Sequence, residues 1–354
     1  MEGSIGVLGA SGGVGAAACR ELVRAGRSVV LGGRARGRLE ALSESLGGGE
    51  VRPVDVADRA SVLRFCEGNA VVINASRFTD GLAEAVLEAG CHLVDATAFP
   101  LHLWRPRSAE VAARGATWVV HTGWLPGLPE VVGAYAEALA VARFGSAEVE
   151  VCAFDRNIYE GVGLDDMVRA FFWRPGVLDT LARLRGRPVP LPPGEAPLQP
   201  PMGATRLWSM PAPLGYRMAT HLDMGGRHPL FVAFDPALMP ALFTAMWYGR
   251  ARSVAWVGER VVGPALRRWV ERHGPAEVVR ARAVGPQGQK LEVDFVETSR
   301  PGYWVSGVVP ATVARLLAEG RAERGGIGTL TEAVRAEVVV EALAEAGLEL
   351  VVRG

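Results

Sequence analysis

Over its first 123 residues the chain alternates short, largely apolar runs with stretches of helical periodicity, and this alternation constrains its fold more than any other feature. The runs at 4–8, 28–31, 51–54, 71–74, 92–95 and 117–120 read as strands, with helices at 14–25, 36–46, 59–66, 79–89 and 107–114 between them. Asp58 and Thr79 are placed to cap two of those helices, and Gly26 to end the first. Strands of this kind leave no wet face. The pattern therefore predicts an α/β fold, a doubly wound parallel sheet of Rossmann type covered on both sides. Such a sheet binds ligands outside the carboxyl ends of its strands, which directs attention to the residues that follow each strand.

A chain of 354 residues exceeds what one core usually serves. After Pro129 the pattern changes to longer alternating strands at 148–153, 280–284 and 291–298, with helices near 236–247 and 263–273. Residues 129–304 thus read as a second, α+β domain with a mixed or antiparallel sheet, including a hairpin turned at Gly285-Pro286-Gln287-Gly288. The segment 186–202 holds seven prolines and reads as a loop over a cleft. Helices near 310–319 and 331–346 and a strand at 349–352 read as able to return to the first domain, 1–128.

The charges balance, 38 basic against 38 acidic, so no summed field draws in nucleic acid or an anionic membrane. No apolar run is long enough to span a bilayer and the first residues resemble no signal, so a cytoplasmic location is expected. Cys19, Cys66, Cys91 and Cys152 are too scattered for a C-x-x-C pair and read as buried thiols. The six histidines lie apart and no H-E-x-x-H occurs, so no metal is expected. Val and Phe positions on the outer face of the second sheet suggest a homodimer through that face.

The strongest local signal is Gly9-Ala10-Ser11-Gly12-Gly13-Val14-Gly15, placed between the first strand and the first helix. Glycines there allow a tight turn and let a pyrophosphate reach the N–H groups of a helix N-terminus, which predicts a dinucleotide site. The same letters satisfy G-x-S-x-G around Ser11, but a hydrolase elbow needs earlier strands to supply its oxyanion loop, and here none precede it. The second strand ends in Gly33-Arg34-Ala35-Arg36-Gly37-Arg38, with no acid for a ribose 2′-hydroxyl. Arg34, with Arg36 or Arg38, would meet a 2′-phosphate, so the cofactor expected is NADP(H). A short-chain dehydrogenase's Tyr-x-x-x-Lys pair is excluded, because the sole lysine, Lys290, has Pro286 four residues before it.

Taken together these residues resemble the saccharopine dehydrogenase-like family of NADP-dependent reductases. The resemblance covers about the first 135 residues: the glycine turn, Gly33-Arg34, Val54-Asp55, Val72-Ile73-Asn74-Ala75-Ser76, Glu88 to Asp95, and Gly123 to Pro129. A weaker echo lies in Ser306 to Ala311 and in Gly325-Gly326-Ile327-Gly328. The chain departs from the family in reading Ser76-Arg77-Phe78 where a Gly-Pro-aromatic run is frequent, and 153–277 aligns with no member.

The resemblance implies that the nicotinamide lies near Ala75, Ser76, Arg77 and Phe78, and that substrate enters between the domains beside the loops after strands five and six. Gly9, Ser11, Gly12, Gly13, Val14, Gly15, Arg34, Arg38, Asp55, Ala75, Ser76, Arg77 and Thr97 are the expected cofactor residues. Phe78, Trp124, Pro126, Gly127 and His221 are expected at the substrate. Asp95 could orient the substrate, His121 could donate the proton that accompanies hydride, and Tyr159 is the candidate from the second domain. The expected activity is NADPH-dependent reduction of a C=N or C=O bond in a small molecule. Reduction of a conjugated C=C bond and a non-catalytic dinucleotide sensor stand as alternatives.

Overall fold

In the computed structural model the described residues are 3–97, 99–157, 228, 230–234, 263–300 and 302–354. Among them the chain divides into two units, one holding residues up to 135 and from 303 to 349, the other the remainder.

The first unit is built on a seven-stranded sheet. Its strands are β1 (Ser4–Leu8), β2 (Val29–Gly33), β3 (Glu50–Pro53), β4 (Asn69–Asn74), β5 (His92–Asp95), β6 (Thr117–Val120) and, far along the chain, β11 (Gly326–Gly328). The order is β11-β6-β5-β4-β1-β2-β3 and every pairing is parallel. This is the doubly wound arrangement expected from the alternation, extended by one short strand that the sequence marked only as Gly-Gly-Ile-Gly. β11 closes the edge by pairing with β6, and Ser108 holds it by accepting the Ile327 N–H on its Oγ at 2.8 Å. The apolar runs fill the sheet's interior: Ile5, Val7, Leu31, Val71, Val72, Ile73, Leu93, Val94, Trp118 and Val119 are all buried.

The helices of this unit are α1 (Gly13–Arg24), α2 (Arg36–Ser45), α3 (Arg59–Cys66), α4 (Asp80–Ala89), α5 (Leu101–Trp104) and α6 (Ser108–Ala113). Asp58 caps α3 through Ala60 N and Thr79 caps α4 through Leu82 N, so each satisfies a donor that helix geometry leaves free. α1 has Gly12 at its cap and no side chain to serve it. The next helix, α7 (Leu128–Phe144), leads into the second unit.

That unit holds β7 (Glu148–Arg156), β8 (Leu230–Phe234), β9 (Ala276–Val284), β10 (Lys290–Glu297) and β12 (Leu350–Arg353), with α8 (Gly263–His273). The strand order is β12-β10-β9-β7-β8, antiparallel except for β7 beside β8, so the sheet is mixed. The hairpin between β9 and β10 closes at Gly285, whose N–H donates to Gln289 O at 2.9 Å. β9 begins four residues before the expected 280; Glu277 in that extension accepts from Asn157 Nδ2 at 2.9 Å, and Arg280 grips Asp294 through two bonds of 2.6 and 2.8 Å. β12 does not return to the first sheet as the sequence suggested. It adds to β10, and Arg353 reaches Asp294 Oδ2 at 3.1 Å.

One face of this sheet is apolar and buried, with Val149, Val151, Ala153, Val279, Ala281, Ala283, Leu291, Val293 and Phe295. The other carries the buried cluster of Cys152, Phe154, Ala276 and Val278 at one end and the Arg280–Asp294 and Arg282–Glu292 pairs at the other, with Val296 and Val351 exposed. The Val and Phe expected to be wet on that face are therefore partly buried, and ion pairs take the rest of it.

Returning to the first unit, α9 (Trp304–Ala318) starts at Trp304 and carries Pro310 inside it, where the sequence placed the proline at a helix start. α10 (Leu330–Ala333) and α11 (Ala336–Glu345) follow β11. α9 is almost wholly buried and packs along α1, where a Cβ on Gly307 would come 2.7 Å from Val14 O and 2.8 Å from Ala18 N. The helix interior accepts glycine there because only hydrogen lets the two backbones approach. All four cysteines are buried thiols.

Candidate functional site

At the carboxyl edge of the first sheet each glycine of the 9–15 turn has its own reason. Gly9 has φ 79°, in the left-handed region, and a Cβ there would come 2.6 Å from Ala75 O, so β1 and β4 meet closely where the sheet's winding reverses. A Cβ on Gly15 would come 2.8 Å from Ala10 Cα, so this glycine seats the helix on the turn. Gly12 differs from both. A Cβ there would meet one atom, Gly9 O at 3.2 Å, and otherwise open space. The space before the uncapped end of α1 is thus both open and lined by unsatisfied N–H groups, which suits a phosphate. Ser11 and Val14, half-buried, flank this space.

At the ends of β2 and β3, Gly33 and Pro53 stand side by side, so the residues that follow them are neighbours. Arg34 and Arg38 are exposed, and among the described residues neither has an ion-pair or hydrogen-bond partner. Arg36 is engaged with Glu40 at 2.8 Å. That leaves Arg34 and Arg38 as the available pair. Asp55 is exposed and its Oδ1 accepts from Ala57 N at 3.1 Å, which shapes the turn after β3. Arg77 is also exposed, at the end of β4.

Between β4, β5 and β6 runs a connected set of polar groups. Asn74 donates through Nδ2 to Asp95 Oδ2 at 2.7 Å, and its Oδ1 accepts from Ser76 N at 3.1 Å and Ser76 Oγ at 2.8 Å. Asp95 Oδ1 accepts from Thr97 N at 2.7 Å and Thr97 Oγ1 at 2.6 Å. Thr122 fastens the next loop by donating twice to Asp95 O, each at 3.0 Å. Asp95 is fully buried. Its carboxylate therefore acts on the crevice through Asn74, Ser76 and Thr97, which it orients. Asn74 and Thr122 were not among the expected site residues, although Asn74 stands in the Val72–Ser76 run that carries the resemblance and ends an apolar strand.

His121 follows β6 with φ 59° and is buried. Its Nε2–H donates to Phe99 O at 2.8 Å, and among the described residues its Nδ1 has no partner. Burial pushes its pKa down to about 4, against the opposing effect of that hydrogen bond. Burial thus favours the neutral ring, with its one N–H held by Phe99 O. The 121–127 segment is a closed turn, with Gly123 N donating to Pro126 O at 2.8 Å and Leu128 N to Gly123 O at 3.0 Å, and Gly127 at φ 130°. Trp124 within it is buried.

Phe78 is buried. It lies edge-on against Phe99 at 4.9 Å and Trp104 at 6.3 Å, and so belongs to the core where a substrate contact was expected. Tyr159 and His221 lie outside the described residues. The sequence reading also missed Glu130, at the start of α7. It is buried, with Oε1 accepting from Thr329 Oγ1 at 2.6 Å and Thr331 N at 3.0 Å, and burial raises its pKa above the ordinary range. Among the described residues no cluster of three or more His, Cys, Asp or Glu could hold a metal, and no helix is long and apolar enough to cross a membrane.

The sequence of residues 5–124 matches the family described as the saccharopine dehydrogenase NADP binding domain. This stretch is similar to the NADP-binding domain of that family. The protein is accordingly an NADP-dependent oxidoreductase, and NADP(H) is its cofactor. Across the whole chain the fold is similar to that of apo saccharopine dehydrogenase (L-Glu forming) from Saccharomyces cerevisiae, with a TM-score of 0.61, 14% identity, and 99% of each chain covered. A short-chain dehydrogenase/reductase from Vibrio parahaemolyticus is similar over 33% of this chain and 76% of its own, with 16% identity and a TM-score of 0.28. Among curated proteins none matches the chain. The open, uncapped turn of the NADP-binding domain and its two unpaired arginines fit the group that such a domain holds.

Proposed function

We propose that the protein is an NADPH-dependent reductase of a C=N or C=O bond in a small-molecule substrate. The observation that carries this reading is the uncapped glycine turn beside the unpaired Arg34 and Arg38. Gly9, Ser11, Gly12, Val14 and Gly15 would seat the pyrophosphate, Arg34 and Arg38 the 2′-phosphate, and Asp55 would border the adenine end. Ala75, Ser76, Arg77 and Thr97 would border the nicotinamide end, which supplies hydride when bound. Asp95 and Asn74 hold Ser76 and Thr97 in place. Neutral His121, its Nε2–H held by Phe99 O, would offer Nδ1 only as an acceptor, with Trp124, Pro126 and Gly127 shaping its loop. Measuring NADPH oxidation against panels of imines, carbonyls and enones tests the reading. Turnover of enones alone would replace it with C=C reduction.

Four buried thiols suit a cytoplasmic protein. A homodimer now rests on exposed Val296 and Val351, and a monomer mass by light scattering at micromolar concentration would refute it.

A further inference from the structure

Gly13 is the glycine of the turn that neither strand packing nor phosphate access explains. A Cβ on it would enter the ring of Tyr303, 2.6 Å from Cε2 and 2.8 Å from Cγ and nearer still to Cδ2. Tyr303 precedes α9 and its carbonyl accepts from Gly307 N at 2.9 Å, so its backbone is part of the helix start. Because Gly307 lies against Val14 and Ala18 while Tyr303 lies against Gly13, α9 runs beside α1 in the same direction. α1 begins at the carboxyl ends of the strands, and α9 packs over β4 and β5. The ring therefore stands at the mouth of the crevice, on the β4 side of the turn. In a doubly wound sheet of this order that side belongs to the second mononucleotide half, opposite the one that the arginines after β2 serve.

We propose that Tyr303 is a positioning residue of the cofactor site, its ring forming the wall beside the pyrophosphate and the nicotinamide-side ribose, with Gly13 kept small to admit it. The inference rests on the assignment of the glycine turn to the dinucleotide. A half-buried ring pressed on the first residue of α1 excludes water from the nicotinamide side of the phosphate seat.

The test is a cycle of Tyr303→Ala, Gly13→Ala and the double variant, read by fluorescence titration of NADPH and of 2′,5′-ADP, which lacks the nicotinamide half. Tyr303→Ala should weaken NADPH about tenfold, and Tyr303→Phe should restore it, since the ring and not the hydroxyl makes the wall. Gly13→Ala should weaken NADPH comparably by evicting the ring, and should add less than about twofold on top of Tyr303→Ala. All variants should bind 2′,5′-ADP as the parent does, which also shows that they are folded. Equal loss from Gly13→Ala in both backgrounds would mean that the ligand itself demands the glycine, and would overturn the proposal. So would parental NADPH affinity in Tyr303→Ala, or equal loss of both ligands in Tyr303→Ala and in the milder Tyr303→Leu. A parent chain that binds neither ligand would instead remove the glycine-turn assignment.

Discussion

Arg34 and Arg38 are free to act because Glu40 occupies Arg36, and nothing acidic follows β2 to favour a bare ribose. NADPH should therefore bind at least about tenfold tighter than NADH, near 1.4 kcal/mol, and Arg34→Asp should narrow or invert the ratio. Titration of both cofactors checks this, and equal affinities in the parent would remove the two arginines from the site. Gly12→Val should abolish binding of both while leaving thermal unfolding near the parent's, since the branched side chain would stand in open space where the phosphate belongs. His121 makes a different claim. Its folded pKa of about 4 lies below the ordinary 6.5, so the unfolded chain takes up a proton first as pH falls. The stability this group contributes is complete above pH 6.5 and is lost towards pH 4, on the order of 3 kcal/mol. His121→Asn, which tolerates positive φ, should flatten the pH dependence of the denaturation midpoint over that window. Parallel curves for parent and variant would show that the imidazole is not held neutral.

Elements were legible where one stretch of sequence contains its own reasons. β1 to β6 announced themselves by apolar runs, and α3 and α4 by caps that the structure shows in use. What could not be read locally depends on partners far along the chain. β11 is three residues long and is a strand only because β6 lies beside it, while Asn74 and Asp95 meet across β4 and β5, 21 residues apart. The start of α9 was missed because Pro310 reads as a helix beginning, whereas buried packing on α1 carries the helix past it. Phe78 sat at a strand end that promised a ligand contact, but the aromatic cluster beneath that end claims it. The close approach of α9 to α1 at Gly307 has a direct test. Gly307→Val should destabilise the chain by about 1–3 kcal/mol, because backbone atoms of α1 cannot yield as a side chain could. Denaturant unfolding of parent and variant measures it, and an unchanged midpoint would mean that the helices separate freely.

At the scale of the molecule, each unit has its own sheet and its own buried apolar residues, and the last five residues of the chain belong with the second although 303–349 belong with the first. Two cores of this kind are not bound to unfold as one. The cofactor residues named here all lie in the first unit, so NADPH should stabilise that unit by mass action, by about 2.7 kcal/mol at a hundredfold excess over its Kd. Removing residues 350–354 acts on the other one. It strips β12 from β10, takes Arg353 from the buried carboxylate of Asp294, and leaves β10 as an open edge. Calorimetry should then show two transitions, one raised by NADPH and unmoved by the truncation, the other lowered by the truncation and unmoved by NADPH. A single transition that both treatments shift would mean that the units unfold cooperatively, and the separate stabilities argued from their cores would be wrong.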